Sequence, residues 1–190
     1  IKMKSLLSIF ILPLKTFRYL SEKDESENNQ TINFLSATIM IGVGLPQLQI
    51  ISELFKTNKE VGYVFGIVIM VLLGFLMFKY TMPFFYWVIG KVLNGKASRN
   101  QVQLVVAYSF IPFLLYLAIG LIMIIPALIF QNPDLIFYRH PVTYYVVWIL
   151  TLRSLIYGLS YFNQFSYGYG LLTILISTGI FELVRHLIGS

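Results

Sequence analysis

The chain has 190 residues, of which 57% are hydrophobic and only 12% are charged, and its mean hydropathy is +0.77. This balance excludes an ordinary soluble domain and indicates a membrane protein. The net charge of +6 is accounted for by basic patches that face anionic lipid, so we expect no nucleic-acid partner. Because the chain has no cysteine, a disulfide or a thiolate metal site is excluded, and we expect neither a metal nor another cofactor.

The first segment, residues 3–20, separates basic from apolar side chains when it is drawn as a helix. Lys4, Lys15 and Arg18 share one face, and six apolar side chains share the opposite one. This pattern predicts an amphipathic helix in the membrane interface, with its basic side chains toward anionic headgroups. A helix packed in the protein core is the alternative. Lys15 and Arg18 stand where a cleavage site would be needed, so we expect no cleaved signal peptide.

Five apolar runs follow a strongly polar segment, residues 21–30, that we interpret as a solvated linker. Each run approaches or exceeds the roughly 20 residues that a helix needs to cross a bilayer. Lipid offers no hydrogen-bond partner to the backbone, and the alternation of barrel strands is absent, so the runs are helices. The predicted fold is all-α: a polytopic membrane protein whose residues 31–190 hold five transmembrane helices, at 31–52, 61–82, 101–130, 143–164 and 167–188.

Basic residues that flank these spans predict the orientation of the chain. They are more frequent in the segments that would face the cytoplasm if the N-terminus were inside. We therefore expect a cytoplasmic N-terminus and, after five crossings, an extracytoplasmic C-terminus. The basic side chains expected at lipid headgroups are Lys4, Lys15, Arg18, Lys79, Lys91, Lys96 and Arg99.

The stretch "IGKVLNGKAS", residues 89–98, has a spacing of glycine and lysine similar to that of a phosphate-binding loop. Such a loop needs a buried strand before it and Ser or Thr directly after the lysine. Here Ala97 follows Lys96, and the aromatic stretch around Pro83 continues a membrane helix. We interpret this stretch as a basic cytoplasmic corner between the second and third spans.

The sequence from this corner onward, "NGKASRNQVQLVVAYSFIPFLL", resembles the middle of Yip1-domain proteins. A second stretch, "LPLKTF", is similar to the Pro-x-x-Thr-Phe opening of prokaryotic members. The Asp-Leu-Tyr-Gly-Pro signature of eukaryotic relatives is absent. The residues that carry the resemblance are Pro13, Thr16, Phe17, Gly95, Lys96, Ser98, Tyr108, Ser109 and Pro112.

This resemblance implies a small integral membrane protein without catalytic chemistry, most simply one of a prokaryotic cell membrane. We expect a scaffold or accessory subunit that acts in membrane organisation, trafficking or an export assembly. Its expected partners are membrane lipids and another integral membrane protein. The residues agree with the absence of enzymatic activity, because neither a nucleophile with its base nor paired carboxylates occur at usable spacing.

Two charged residues are predicted inside the bilayer, Arg153 in the fourth span and Glu182 in the fifth. An arginine there costs roughly 2.5 to 3.5 kcal/mol and needs a partner, so we predict that Arg153 contacts Glu182. The pair either fixes helix packing or lines a polar cavity for an ion, a proton or a lipid headgroup. The second case is our alternative function, a small transporter or channel. The side chains on the same faces as these two charges are Tyr157, Ser160, Arg185 and His186.

Overall fold

A computed structural model of the protein describes residues 8–44, 59–132, 134–137 and 140–189. Every regular element within these ranges is a helix, which confirms the all-α prediction. The longer helices are α1 (Pro13–Ser21), α2 (Glu25–Gly44), α3 (Lys59–Gly74), α4 (Met82–Val92), α5 (Arg99–Ser109), α6 (Leu114–Ile129), α8 (Pro141–Asn163) and α9 (Tyr167–Gly189), with a short α7 (Asp134–Phe137). A π-helical segment (Phe75–Thr81) joins α3 to α4, and a 3-10 turn (Ile111–Phe113) joins α5 to α6.

Four stretches of the described chain are long and apolar enough to cross a membrane. They correspond to the second, third, fourth and fifth predicted spans. The first predicted span, 31–52, coincides with α2 only as far as Gly44, and its remainder lies outside the described residues. The four stretches are Val64–Val92, Arg99–Ile129, Pro141–Asn163 and Tyr167–Val184.

The predicted polar linker, residues 21–30, is largely helical. Helix α2 begins at Glu25, and Glu25 and Glu27 lie in its first turn, where their negative charge is favourable to the helix dipole. The side chains of this turn are exposed. Only a three-residue connection, 22–24, therefore separates α1 from α2.

Pro83, in the continuation of the second span, leaves a backbone carbonyl without its helical donor, and a neighbouring helix supplies another donor. Pro83 has no N–H to bond the carbonyl of Lys79 four residues earlier. The side-chain amide of Gln103, on α5, donates to that carbonyl oxygen at 2.7 Å. This bond fixes α5 against the junction between the π-helical segment and α4.

Helix α5 is the centre of the buried core, because residues 102–113 are all buried. It packs against α2, α4 and α8, and its first turn is closed by a capping box in which the Ser98 hydroxyl accepts from the backbone N–H of Gln101. Such a cap contributes about 1 kcal/mol. Helices α6 and α8 also expose large apolar side chains, such as Ile122 and Ile149. The packed core therefore surrounds α5 and the 3-10 turn that follows it.

Candidate functional site

Helix α1 packs on α8, with its apolar face covered by protein. Phe17 and Leu20 are both 0% exposed, and the Phe17 ring meets the ring of Phe162 edge-on at 6.1 Å between centroids. The basic side chains of Lys15 and Arg18 remain exposed. Helix α1 has exposed basic and buried apolar side chains, but the interfacial amphipathic helix predicted over residues 3–20 is not confirmed, because α8 covers the face that lipid would have received.

The absence of a side chain at Gly158 permits this packing. A Cβ there would lie 2.8 Å from Cε2 of Phe17 and 2.6 Å from Cγ1 of Val105. Both distances are too short for real contacts, so α8 reaches α1 and α5 together only with glycine at this position. Gly158 is thus the contact point of three helices.

Arg153 holds the segment before α1, where residues 8–11 are helical. Its Nη1 donates to the carbonyl of Phe10 at 3.4 Å and its Nη2 to the carbonyl of Ile11 at 3.2 Å. The helix breaks at Leu12, whose φ of -131° and ψ of 61° are not helical, and Pro13 follows. The break leaves the two carbonyls without helical partners, and Arg153 takes the place of those partners.

A second contact shows the direction in which α1 runs. The hydroxyl of Ser21, at the end of α1, lies 3.3 Å from the Tyr161 hydroxyl. Arg153 and Tyr161 are separated by about 12 Å along α8 at 1.5 Å per residue. The N-terminal segment therefore runs alongside α8 from Arg153 to Tyr161.

The contacts that the structure describes for Arg153 do not include the predicted one with Glu182. Arg153 bonds backbone carbonyls and lies over the ring of Tyr157, 5.7 Å from its centroid. Glu182 lines a different cavity, to which α8 contributes Leu152 rather than Arg153. Arg153 and the cavity that Glu182 lines lie on different faces of α8, since Leu152 lines that cavity and adjacent helical residues point about 100° apart.

The other members of the predicted intramembrane cluster are dispersed as well. Among the described side chains of the cluster only Tyr157 accompanies Arg153, and its ring meets that of Tyr167 at 4.9 Å between centroids. The Ser160 hydroxyl donates to the carbonyl of Ser166 in the turn between α8 and α9. His186 is exposed, and the side chain of Arg185 lies outside the described residues.

Asn163, at the end of α8, fixes the basic corner, and the sequence analysis did not single it out. Its side-chain Oδ1 accepts from the backbone N–H of Ala97 at 3.3 Å, and its backbone carbonyl accepts from that of Lys96 at 3.2 Å. Its Nδ2 donates to the carbonyl of Leu159 at 3.0 Å, and the residue is only 3% exposed. A Cβ at Gly95 would collide with Oδ1, so the corner requires glycine there.

The segments that carry the family resemblance all contact α8, and α1, the corner and α5 reach its second half. We call this region the α8 junction and define it by Phe17, Gly95, Val105, Gly158 and Asn163. The resemblance residues belong to α1, to the corner and to α5 with its 3-10 turn, and each of these elements contacts α8. Pro13, Thr16, Tyr108, Ser109 and Pro112 are buried, whereas Lys96 and Ser98 are exposed.

The basic residues predicted at headgroups largely surround this junction. Lys91 and Arg99 flank the corner with Lys96, and all three are exposed. The Lys91 ammonium also donates to the carbonyl of Gly95 at 3.2 Å. Lys79 lies apart, with its ammonium 4.8 Å from the ring centroid of Phe75, and Lys4 lies outside the described residues.

A polar cavity of about 230 Å³ opens at the same end, between the α1–α2 connection and the start of α5. Lys23, Asn28 and Asn100 contribute to its lining. The hydrogen bond and ion pair with Glu27 raise the pKa of Lys23, so the cavity carries a paired cation. These groups can bind a polar partner by hydrogen bonds, but they include no nucleophile with an adjacent base.

Comparison with known proteins agrees with this arrangement. No curated protein and no solved structure matches the chain. A family model for the Yip1 domain matches residues 7–184, a range that includes α1, the corner and all of α5 and α8. The match covers nearly the whole chain and all the elements that meet at the α8 junction, and the chain therefore belongs to the Yip1 domain family.

Proposed function

We propose that this protein is a non-enzymatic scaffold or accessory subunit of a prokaryotic cell membrane, serving membrane organisation, trafficking or an export assembly. The observation that carries the proposal is the position of the resemblance residues, which lie in the helices and the corner that pack on α8. Most of them are buried in helix packing, and none forms a reactive pair. A family whose shared residues build a rigid corner is suited to binding partners rather than to catalysing a reaction on them.

The lipid partner is supported by the exposed basic side chains around the junction. Lys15, Arg18, Lys91, Lys96 and Arg99 are exposed. With the N-terminus in the cytoplasm, these side chains face the anionic inner leaflet, where each contributes about 1 kcal/mol to surface attraction. We therefore place the basic corner at the cytoplasmic headgroups and the C-terminus outside the cell.

The protein partner is supported by a bare apolar stripe on the first half of α8. Val142, Tyr145, Ile149 and Leu152 recur at spacings of three and four residues and are all exposed. Large side chains at this spacing are the anchors by which one helix docks on another. We propose that another integral membrane protein packs on this stripe.

The alternative of a transporter or channel around Arg153 and Glu182 has less support. Such a path needs polar groups that share one cavity, whereas Arg153 bonds the backbone of the N-terminal segment and Glu182 lines a mainly apolar cavity.

Photocrosslinking in the native membrane tests the scaffold function. A leucine-sized diazirine side chain at Ile149, which is 65% exposed, should crosslink to one discrete membrane protein. The same side chain at Val147, which is 0% exposed, is the matched control and should crosslink only within the chain. Capture of lipid alone from Ile149, with no protein adduct, would contradict a docking role for this stripe.

A further inference from the structure

A second cavity lies between the π-helical segment, α4, α8 and α9, on a different part of α8 from the junction. Its volume is about 240 Å³. Most of its lining is aromatic or aliphatic, including Phe85, Phe110, Trp148, Leu152, Ile174 and Phe181. None of these residues is a resemblance residue, and Leu152 alone of them belongs also to the stripe proposed for the protein partner.

The lining determines what this cavity can hold. An apolar cavity of about 150 Å³ stays dry and accepts benzene, so a larger one within membrane-spanning helices is unfavourable for water. Leaving the space empty would forfeit the dispersion contacts of every side chain around it. A hydrocarbon chain from the surrounding bilayer satisfies both requirements.

Polar groups on one face of α9 make the two ends of the cavity chemically different. Ser177 is 3% exposed, and its hydroxyl has no hydrogen-bond partner among the described residues. Thr178 and Glu182 continue the lining toward the Gly189 end of the helix. Glu182 lies about 7.5 Å beyond Ser177 along α9, so one end of the cavity is acidic while the rest is apolar.

The acidic end favours a cationic head group. A carboxylate has about four acceptor positions, so it can bond a ligand in addition to any neighbour within the protein. An ammonium group complements its charge and donates hydrogen bonds that are stronger than neutral ones. A phospholipid head group with a phosphate but no ammonium has a net negative charge and would be repelled by Glu182.

We propose that this cavity binds one hydrocarbon chain of a phospholipid whose ammonium head group bonds Glu182. The chain extends from Glu182 past Ser177 toward Ile174 and Tyr86. The bound lipid fills the space between α4 and α9, and the site adjoins the stripe proposed for the protein partner at Leu152.

The test uses the full chain in vesicles of phosphatidylethanolamine and phosphatidylglycerol, with a diazirine in the acyl chain of either lipid. Irradiation of the wild type should label peptides of α4 and α9, and the ethanolamine lipid should label them more strongly. Ser177→Leu fills the cavity and should reduce labelling at least about tenfold, since the hydrocarbon then loses its buried apolar contacts. Leu152→Trp narrows the same cavity from a partly exposed position, is less disturbing to the fold, and should also reduce labelling.

Two further variants provide a control outside the cavity and a test of the head-group contact. Leu175→Phe lies on the same helix but on an exposed position outside the cavity, and it should label as the wild type does. Glu182→Gln should keep the labelling but lose the preference for the ethanolamine lipid. The proposal is overturned if wild-type α4 and α9 are not labelled, if neither cavity-filling variant reduces labelling, or if Glu182→Gln retains the head-group preference.

Discussion

The side chain of Asn163 connects two parts of the structure, although it stands at the end of an apolar helix. It joins the last turn of α8 to the basic corner by bonds to Ala97 and Leu159. These bonds are buried, so their loss is not compensated by water. The corner in turn precedes Ser98, whose cap starts the central helix α5.

Asn163→Ala should therefore destabilise the protein by about 1 to 3 kcal/mol, the cost of leaving a buried N–H without its acceptor. Thermal unfolding in detergent would show a lower melting temperature. The matched control is Gln164→Gly, the next residue, which is exposed and has a left-handed φ of 57° that glycine adopts freely. An equal loss of stability in both variants would contradict a specific role for the Asn163 amide.

The residue scale also shows where sequence reasoning reaches its limit. The glycine and lysine of the corner can be recognised in the sequence as a motif. The sequence also shows that the corner is not a phosphate-binding loop, because Ala97 stands where such a loop needs Ser or Thr. The partner of that corner lies about 66 residues further along the chain, and one polar side chain in an apolar run does not indicate which backbone group it meets.

At the scale of elements, the N-terminal segment is attached to α8 by a guanidinium that bonds backbone carbonyls. The sequence predicts that Arg153 needs a partner, and two backbone carbonyls accept its hydrogen bonds. The sequence does not indicate that the break before Pro13 exposes these carbonyls nearby, because periodicity describes side-chain faces and not backbone acceptors. The described partners therefore differ from the acid that was predicted on the neighbouring span.

Arg153→Met should release the segment before α1 while leaving the helices of the bundle in place. The readout is hydrogen exchange at the amide of Leu12, which donates to the carbonyl of Ser8 at 2.7 Å. Loss of the two guanidinium bonds should accelerate this exchange roughly three- to tenfold, the effect of about 1 kcal/mol of local opening. Arg18→Met, which removes an exposed guanidinium from α1, should leave it unchanged. Unchanged exchange in Arg153→Met would show that other contacts hold the segment.

At the scale of the whole molecule, the helical class and four of the five apolar spans were predictable because lipid leaves the backbone few alternatives. The position of α1 was not predictable from the sequence. Its amphipathic pattern shows that one face must be covered, but a lipid interface and the side of α8 satisfy that need equally well. The missing side chain of Gly158 is what lets α1 pack against α8. A single glycine in an apolar run does not reveal this packing in the sequence.

The orientation of the bundle yields a prediction that the chain is well suited to test, because it has no native cysteine to confuse labelling. Asn94 and Gln131 are matched positions: both are exposed, both follow a helix, and their φ values are 62° and 49°. With the N-terminus in the cytoplasm, Asn94 lies inside and Gln131 outside, because one crossing separates them. A membrane-impermeant maleimide added to intact cells should label Gln131→Cys at once and Asn94→Cys only after permeabilisation. The reverse pattern would place the basic corner outside the cell, and Lys91, Lys96 and Arg99 could then not bind the inner leaflet.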